Sequence, residues 1–165
     1  MQKTIPTIFL VFAVLFATAG TSWSQEVDYL DLVQRDGLYY RPFTDVPFTG
    51  EVTGWRQGSI KDGKRIGLWV SYYSKGQLWD KGNYINGERD GPWISYWDNG
   101  QLFYKGNYVN GERHGPWVGY YDNGQLSYKG SHINGMHDGP WIFYNEYGGL
   151  LEISGTYKEG ERVSD

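Results

Sequence analysis

The sequence predicts an all-β protein, an elongated antiparallel meander of β-hairpins built from 24-residue repeats. Three observations predict it. The first is a fixed period, since four tryptophans follow one another at intervals of 24 residues: Trp69, Trp93, Trp117 and Trp141. The second is a recurring Asn-Gly pair whose spacing alternates between 13 and 11 residues. The third is the alternation of side-chain character with a period of two between these pairs, which is typical of half-buried strands.

The Asn-Gly pairs predict the turns of the meander. They begin at Asn86, Asn99, Asn110, Asn123 and Asn134. Both residues of such a pair accept the positive φ that a tight primed turn requires. Each 24-residue unit is therefore predicted to hold two short strands and two turns.

A glycine inside the second strand of each unit is predicted to make room for an aromatic ring. These glycines are Gly82, Gly106, Gly130 and Gly155. Glycine weakens a strand unless something needs the space of the missing side chain. A ring from a neighbouring strand that lies over the bare backbone would use that space.

The chain is predicted to have three segments. Residues 1–24 resemble a signal peptide, with Lys3 near the start, an apolar run of about 15 residues, and the small residues Ser22 and Ser24 before a cut at Gln25. The run is shorter than the roughly 20 residues of a spanning helix, which favours cleavage over a membrane anchor. Residues 25–48 are predicted to form an N-terminal cap, and residues 49–165 the repeat domain with a short charged C-terminal end. The expected location is the periplasm or the extracellular space.

Composition narrows the choice of partners. The 165 residues include no cysteine, and without Lys3 they carry 14 Lys and Arg against 19 Asp and Glu, a net charge of −5. Nucleic acids and anionic membranes are bound largely through basic patches. Nucleic acid is therefore not expected as a partner, and membrane contact is not favoured.

The repeats resemble a known family. The pattern "YY.NGQL..KG.Y.NG...GPW" is similar to the variant MORN repeat, and "GLYYRPFTDVPFTGEVTG" before it is similar to the opening of exported bacterial proteins of the YwqK-family antitoxin type. The resemblance covers about Gly37 to Glu161. It implies a single sheet of hairpins, twisting along its length, that serves as a scaffold for protein or membrane contacts.

No residue pattern indicates an enzyme, and no catalytic, cofactor-binding or metal-binding residue is proposed. The histidines show no ligand set of usual type and spacing. His137 shares its repeat position with Arg89 and Arg113, and we interpret these as interchangeable surface residues in a polar turn. His132 occupies the position of Tyr84 and is predicted to fill an aromatic slot.

Two functions are compatible with these features. The first is a non-enzymatic scaffold for protein–protein interaction, with antitoxin or immunity-like use implied by the family resemblance. Its candidate partner-binding face consists of Trp55, Trp79, Phe103, Lys81, Lys105 and Lys129. The aromatic members could equally well cover the second side of a thin sheet. The alternative function is a cell-wall or glycan-binding module in which evenly spaced aromatic rings stack on sugars.

Overall fold

The computed structural model describes residues 25–164, so the predicted signal peptide lies outside the described residues. Fourteen strands are formed in this part of the chain. In chain order they are β1 (Glu26–Asp28), β2 (Val33–Arg35), β3 (Leu38–Tyr40), β4 (Gly50–Thr53), β5 (Arg56–Lys61), β6 (Lys64–Tyr72), β7 (Leu78–Ile85), β8 (Glu88–Tyr96), β9 (Leu102–Val109), β10 (Glu112–Tyr120), β11 (Leu126–Ile133), β12 (Met136–Phe143), β13 (Gly155–Lys158) and β14 (Glu161–Ser164).

The predicted meander is confirmed. Twelve strands form one sheet in the order β1-β4-β5-β6-β7-β8-β9-β10-β11-β12-β13-β14, and every pair from β4 onward is antiparallel and consecutive in the chain. Strands β2 and β3 form a separate hairpin. No helix within residues 25–164 is long and apolar enough to cross a membrane.

The Asn-Gly pairs form two kinds of turn. Asn86, Asn110 and Asn134 have φ near +50° and are followed by glycines that also have positive φ, as the primed turn requires. At Asn99 and Asn123 only the following glycine takes positive φ. There the loop is one residue longer, a type I turn closed by a left-handed glycine, and the prediction of a primed turn is wrong for these two pairs.

The longer turns connect consecutive repeats through their asparagines. The side chain of Asn99 accepts a hydrogen bond from the backbone N–H of Gln101 and donates to the carbonyl of Asp122 in the next repeat. Asn123 makes the matching bond to Glu146 at 3.0 Å. These asparagines therefore hold adjacent turns in register.

The N-terminal segment covers the first end of the sheet. Strand β1 pairs in parallel with β4, and a 3-10 turn at Tyr29–Asp31 follows it. Phe48 is buried, and Tyr39 lies next to the tight turn between β5 and β6, where its N–H bonds to Gly63 at 2.9 Å. Phe48 and Tyr39 thus cover the hydrophobic core at the N-terminal end of the sheet.

Candidate functional site

One side of the sheet, here called the aromatic face, carries the four repeat tryptophans, which are only 1–3% exposed. The ring of Trp117 lies over Gly106 of the preceding strand, where an added Cβ would come within 2.2 Å of the indole. Trp93 lies over Gly82 in the same way, and Trp141 over Gly130. The predicted pairing of glycine with a neighbouring aromatic ring is thus present at these three positions. Gly155 differs, because backbone of β14 and the Arg162 side chain occupy the space beside it.

Arginines on the aromatic face stack on these tryptophans. The guanidinium carbons of Arg65, Arg89 and Arg113 lie 4.6, 4.3 and 4.5 Å from the ring centroids of the tryptophans four positions further on. His137 takes the fourth position and stacks on Trp141 at 3.9 Å. The interpretation of this repeat position as an interchangeable surface position is therefore wrong. A guanidinium is polar at its edge, but its flat face packs on an indole and gains cation–π energy.

Tyrosine hydroxyls accept hydrogen bonds from these arginines. Arg65 donates to Tyr84 at 2.9 Å, and Arg89 donates to Tyr108 at 2.8 Å. Burial alone would lower the pKa of Arg65, but the surrounding tyrosines outweigh it and raise that pKa on balance. The guanidinium therefore stays charged although much of it is removed from water.

The third unit departs from this pattern at His132. The ring of His132 packs edge-on between Trp117 at 5.7 Å and Trp141 at 4.8 Å, as expected for an aromatic slot. Burial lowers the pKa of His132 to about 4, and the neighbouring His137 and Arg113 add to the effect. The imidazole is therefore neutral at physiological pH.

The opposite side of the sheet, here called the lysine face, presents one continuous row of side chains. Val70, Ile94, Val118 and Ile142 alternate there with Lys81, Lys105 and Lys129, and each residue is the direct cross-strand partner of the next. All three lysines are exposed. An adjoining row of Leu68, Pro92 and Pro116 completes a groove of about 790 Å³ that runs from β6 to β11.

The six candidate partner-binding residues fall into two groups. The three lysines lie together on the lysine face. Trp79 and Phe103 are the extra residues of β-bulges at the starts of β7 and β9. Trp79 stacks on Trp55 at 6.1 Å, Phe103 packs on Trp97 at 4.0 Å, and all are partly buried. A bulge re-aims a side chain and interrupts the period of two.

The aromatic group connects to the aromatic face rather than to the lysines. Trp55 packs edge-on against Tyr29 at 5.4 Å, and Tyr29 in turn contacts Trp69. Within residues 25–164, no group of three His, Cys, Asp or Glu residues is arranged to hold a metal ion.

The repeat pattern matches a family of known description. The profile of the MORN repeat variant matches residues 65–86, 89–110 and 113–134. These three segments are similar to the variant MORN repeat, and they are called MORN segments below. Each MORN segment begins at a stacked arginine and ends at the asparagine of a tight turn, so the family pattern coincides with the ladder of Arg, Trp and Tyr side chains. The match does not support the more specific antitoxin type.

Curated proteins and solved structures indicate no further family for the chain. No curated protein matches the chain. A solved structure of the GtfA/B complex bound to UDP and GlcNAc aligns with 84% of this chain at 14% identity and a TM-score of 0.25. The chain spans 28% of the length of that protein.

Proposed function

We propose that this protein is a non-enzymatic, exported MORN-repeat scaffold that binds a protein partner in the groove of the lysine face. The observation that carries the proposal is the groove itself. Its lining combines the exposed Leu68 and two exposed prolines, the half-buried Ile94 and Val118, and three lysines, and it includes no acidic residue. MORN repeats are in general modules for protein or membrane binding, which agrees with this use.

The side chains of the groove indicate the kind of partner that would bind there. Leu68 is 62% exposed, and apolar side chains that stay in water in this way favour contact with another apolar surface. Lys81, Lys105 and Lys129 cross the groove on alternate strands and favour acidic groups. We therefore expect a polypeptide segment that presents apolar and acidic side chains together.

A membrane fits this surface less well. A bilayer is flat on the scale of one sheet, whereas the apolar side chains of the lysine face line a depression. Glycan stacking on the four repeat tryptophans would need exposed rings, and these rings are 1–3% exposed.

Export follows from the signal-peptide pattern of residues 1–24 and is part of the proposal. Immunity-like use is a more specific form of it, in which the partner is a toxin met outside the cytoplasm. The toxin would bind in the same groove. Identification of the partner shows whether the function is immunity-like.

Charge reversal of the three groove lysines tests the proposal. We expect the K81E/K105E/K129E variant to lose a partner that the unchanged protein recovers in near-stoichiometric amount from an envelope extract. The matched control is K61E/K75E/K158E, which makes the same charge change at exposed lysines outside the groove. The control should retain the partner.

Three results would contradict the proposal. Loss of the partner from both triple variants would indicate a dependence on net charge alone. Loss from W79A/F103A with retention by the lysine variant would place the site at the aromatic bulges. Sedimentation with purified cell wall or with anionic vesicles, without any protein partner, would favour a glycan or membrane module.

A further inference from the structure

A second cavity, here called the cationic pocket, lies at the N-terminal end of the aromatic face. Its volume is about 370 Å³. Three cationic residues, Arg56, Lys64 and Arg65, line it together with the tyrosines Tyr29, Tyr39 and Tyr84. The remaining lining comes from Gln34 and the turn glycines Gly37 and Gly87, and no acidic residue contributes.

The tyrosine oxygens of the cationic pocket are already engaged as acceptors. Arg65 donates to Tyr84 at 2.9 Å, to Tyr29 at 3.0 Å and to Tyr39 at 2.5 Å. Arg56 donates to Tyr29 at 3.3 Å. Tyr29 and Tyr39 also share a hydrogen bond at 3.4 Å, which uses one of their two hydroxyl hydrogens. Two of the three hydroxyl hydrogens therefore remain as donors for a bound group.

Protonated tyrosines are needed for such donation. Burial raises the pKa of Tyr39 to about 12, and its hydrogen bond to Tyr29 acts in the same direction. Tyr39 therefore keeps its proton at neutral pH. The pKa of Tyr29 is lowered on balance: burial would raise it, but the hydrogen bond to Tyr39 and the charges of Arg65 and Arg56 outweigh burial. The cations of the pocket therefore favour a negative charge placed beside them.

No carboxylate forms an ion pair with the cations of this pocket within the described residues. Within residues 25–164 the one ion pair closer than 4.0 Å joins Arg35 and Asp45. Asp80 lines a small neighbouring cavity with Arg56 and Arg65, but it pairs with neither at that distance. The buried Nε atoms of both arginines have no hydrogen-bond partner. The tyrosine hydroxyls that accept from Arg56 and Arg65 do not balance their charge as a carboxylate would, and a bound anion would compensate it.

The pocket is specific to one end of the sheet. Arg89 also stacks on a tryptophan and interacts with two tyrosines, Tyr84 and Tyr108. Arg65 interacts with three tyrosines, Tyr29, Tyr39 and Tyr84. The N-terminal segment supplies two of these, Tyr29 and Tyr39. The pocket therefore arises where the segment of residues 25–48 meets the first MORN segment.

From this arrangement we infer that the cationic pocket binds a phosphate-type dianion, either free or as the monoester group of a larger molecule. Guanidinium groups match the oxygens of a tetrahedral dianion, and lysine adds a point charge at the rim. The volume exceeds that of a single phosphate ion, which leaves room for the first atoms of an esterified group. This site is separate from the groove of the lysine face.

Calorimetric titration of the purified protein with inorganic phosphate and with glycerol phosphate tests the inference. Potassium chloride at matched ionic strength is the control for screening. We expect saturable binding of both phosphates. The exposed Lys64 is changed in K64Q, which should weaken binding about tenfold, as loss of one charge-assisted contact does. K75Q removes an exposed lysine elsewhere and should bind as the unchanged protein does.

A second variant tests the contribution of Arg65. R65Q should abolish phosphate binding, and its circular dichroism spectrum shows whether the sheet is intact. Because Arg65 also stacks on Trp69, K64Q decides the question if R65Q does not fold. Co-sedimentation with vesicles that contain phosphatidic acid distinguishes a lipid headgroup from a soluble ester, and K64Q should weaken that binding too.

Two outcomes would overturn the inference. One is a heat of phosphate titration equal to the heat measured with potassium chloride at the same ionic strength. The other is phosphate binding that is the same in K64Q, K75Q and the unchanged protein. Either result leaves the groove proposal standing, because Lys64 does not line the groove.

Discussion

Replacement of Gly106 by valine is expected to lower the melting temperature by about 6–12 °C. An added Cβ would lie 2.2 Å from the indole of Trp117, a ring that is 1% exposed and has no room to retreat. Overpacking of this kind costs about 3 kcal/mol, and each kcal/mol shifts the midpoint of a domain of this size by about 2–4 °C. Thermal unfolding followed by circular dichroism measures the effect.

Two further variants show whether the contact with the ring is the cause. F103A removes a partly buried ring outside the row of tryptophans and should lower the midpoint far less than G106V does. In a W117A background the valine should cost much less than it does alone, since the ring that it meets is gone. Similar midpoints for G106V and F103A, or full additivity of G106V with W117A, would contradict the assignment of faces.

Acidification is expected to destabilise the protein through His132. The pKa of this residue is lowered to about 4 in the folded state, against an ordinary value of 6.5. A depressed histidine pKa means that the unfolded chain binds the proton more readily. The stabilisation is therefore complete above pH 6.5 and is lost as the pH falls toward 4, by at most about 3 kcal/mol.

The variant H132Y tests this effect and retains His137, whose pKa is also lowered, by burial and by Arg113. Tyrosine is the residue at this position in the two preceding repeats, and it would offer Arg113 the acceptor that Tyr108 offers Arg89. Melting midpoints between pH 7.5 and 4.5 should fall steeply for the unchanged protein and less for H132Y. The exposed control H114Q should follow the unchanged protein. Equal slopes for H132Y and the unchanged protein would show that His132 does not carry the pH dependence.

The meander was predictable because its signals are local and repeated. Trp93 and Gly106 recur with one period, and a ring over a bare backbone is a direct consequence of strand geometry. The parallel pairing of strand β1 with β4 could not be predicted from the sequence. Strand β1 has three residues and lies in a segment without periodicity, so no sequence pattern indicates its partner. Parallel pairing at a sheet edge depends on contacts distant in sequence.

Stacking of the arginines on the tryptophans was not predicted from the sequence, for a different reason. Arg65, Arg89 and Arg113 flank tight turns, and a charged residue there is ordinarily a surface residue. The available signal was their recurrence four positions before each tryptophan, with the same period. The candidate aromatics and lysines were assigned to one face because alternation was counted without the bulges, and a bulge is not visible in the spacing of side chains.

Site-specific photo-crosslinking tests the central claim, binding of a protein partner in the groove of the lysine face, most directly. A photoreactive residue at Val118 lies in the groove, and one at Tyr147, which is 83% exposed, lies outside it. In an envelope extract we predict that the Val118 probe forms one major adduct and the Tyr147 probe does not. Mass spectrometry of the adduct should show a segment rich in apolar and acidic residues. Equal labelling from both probes, or no adduct from Val118, would contradict the account.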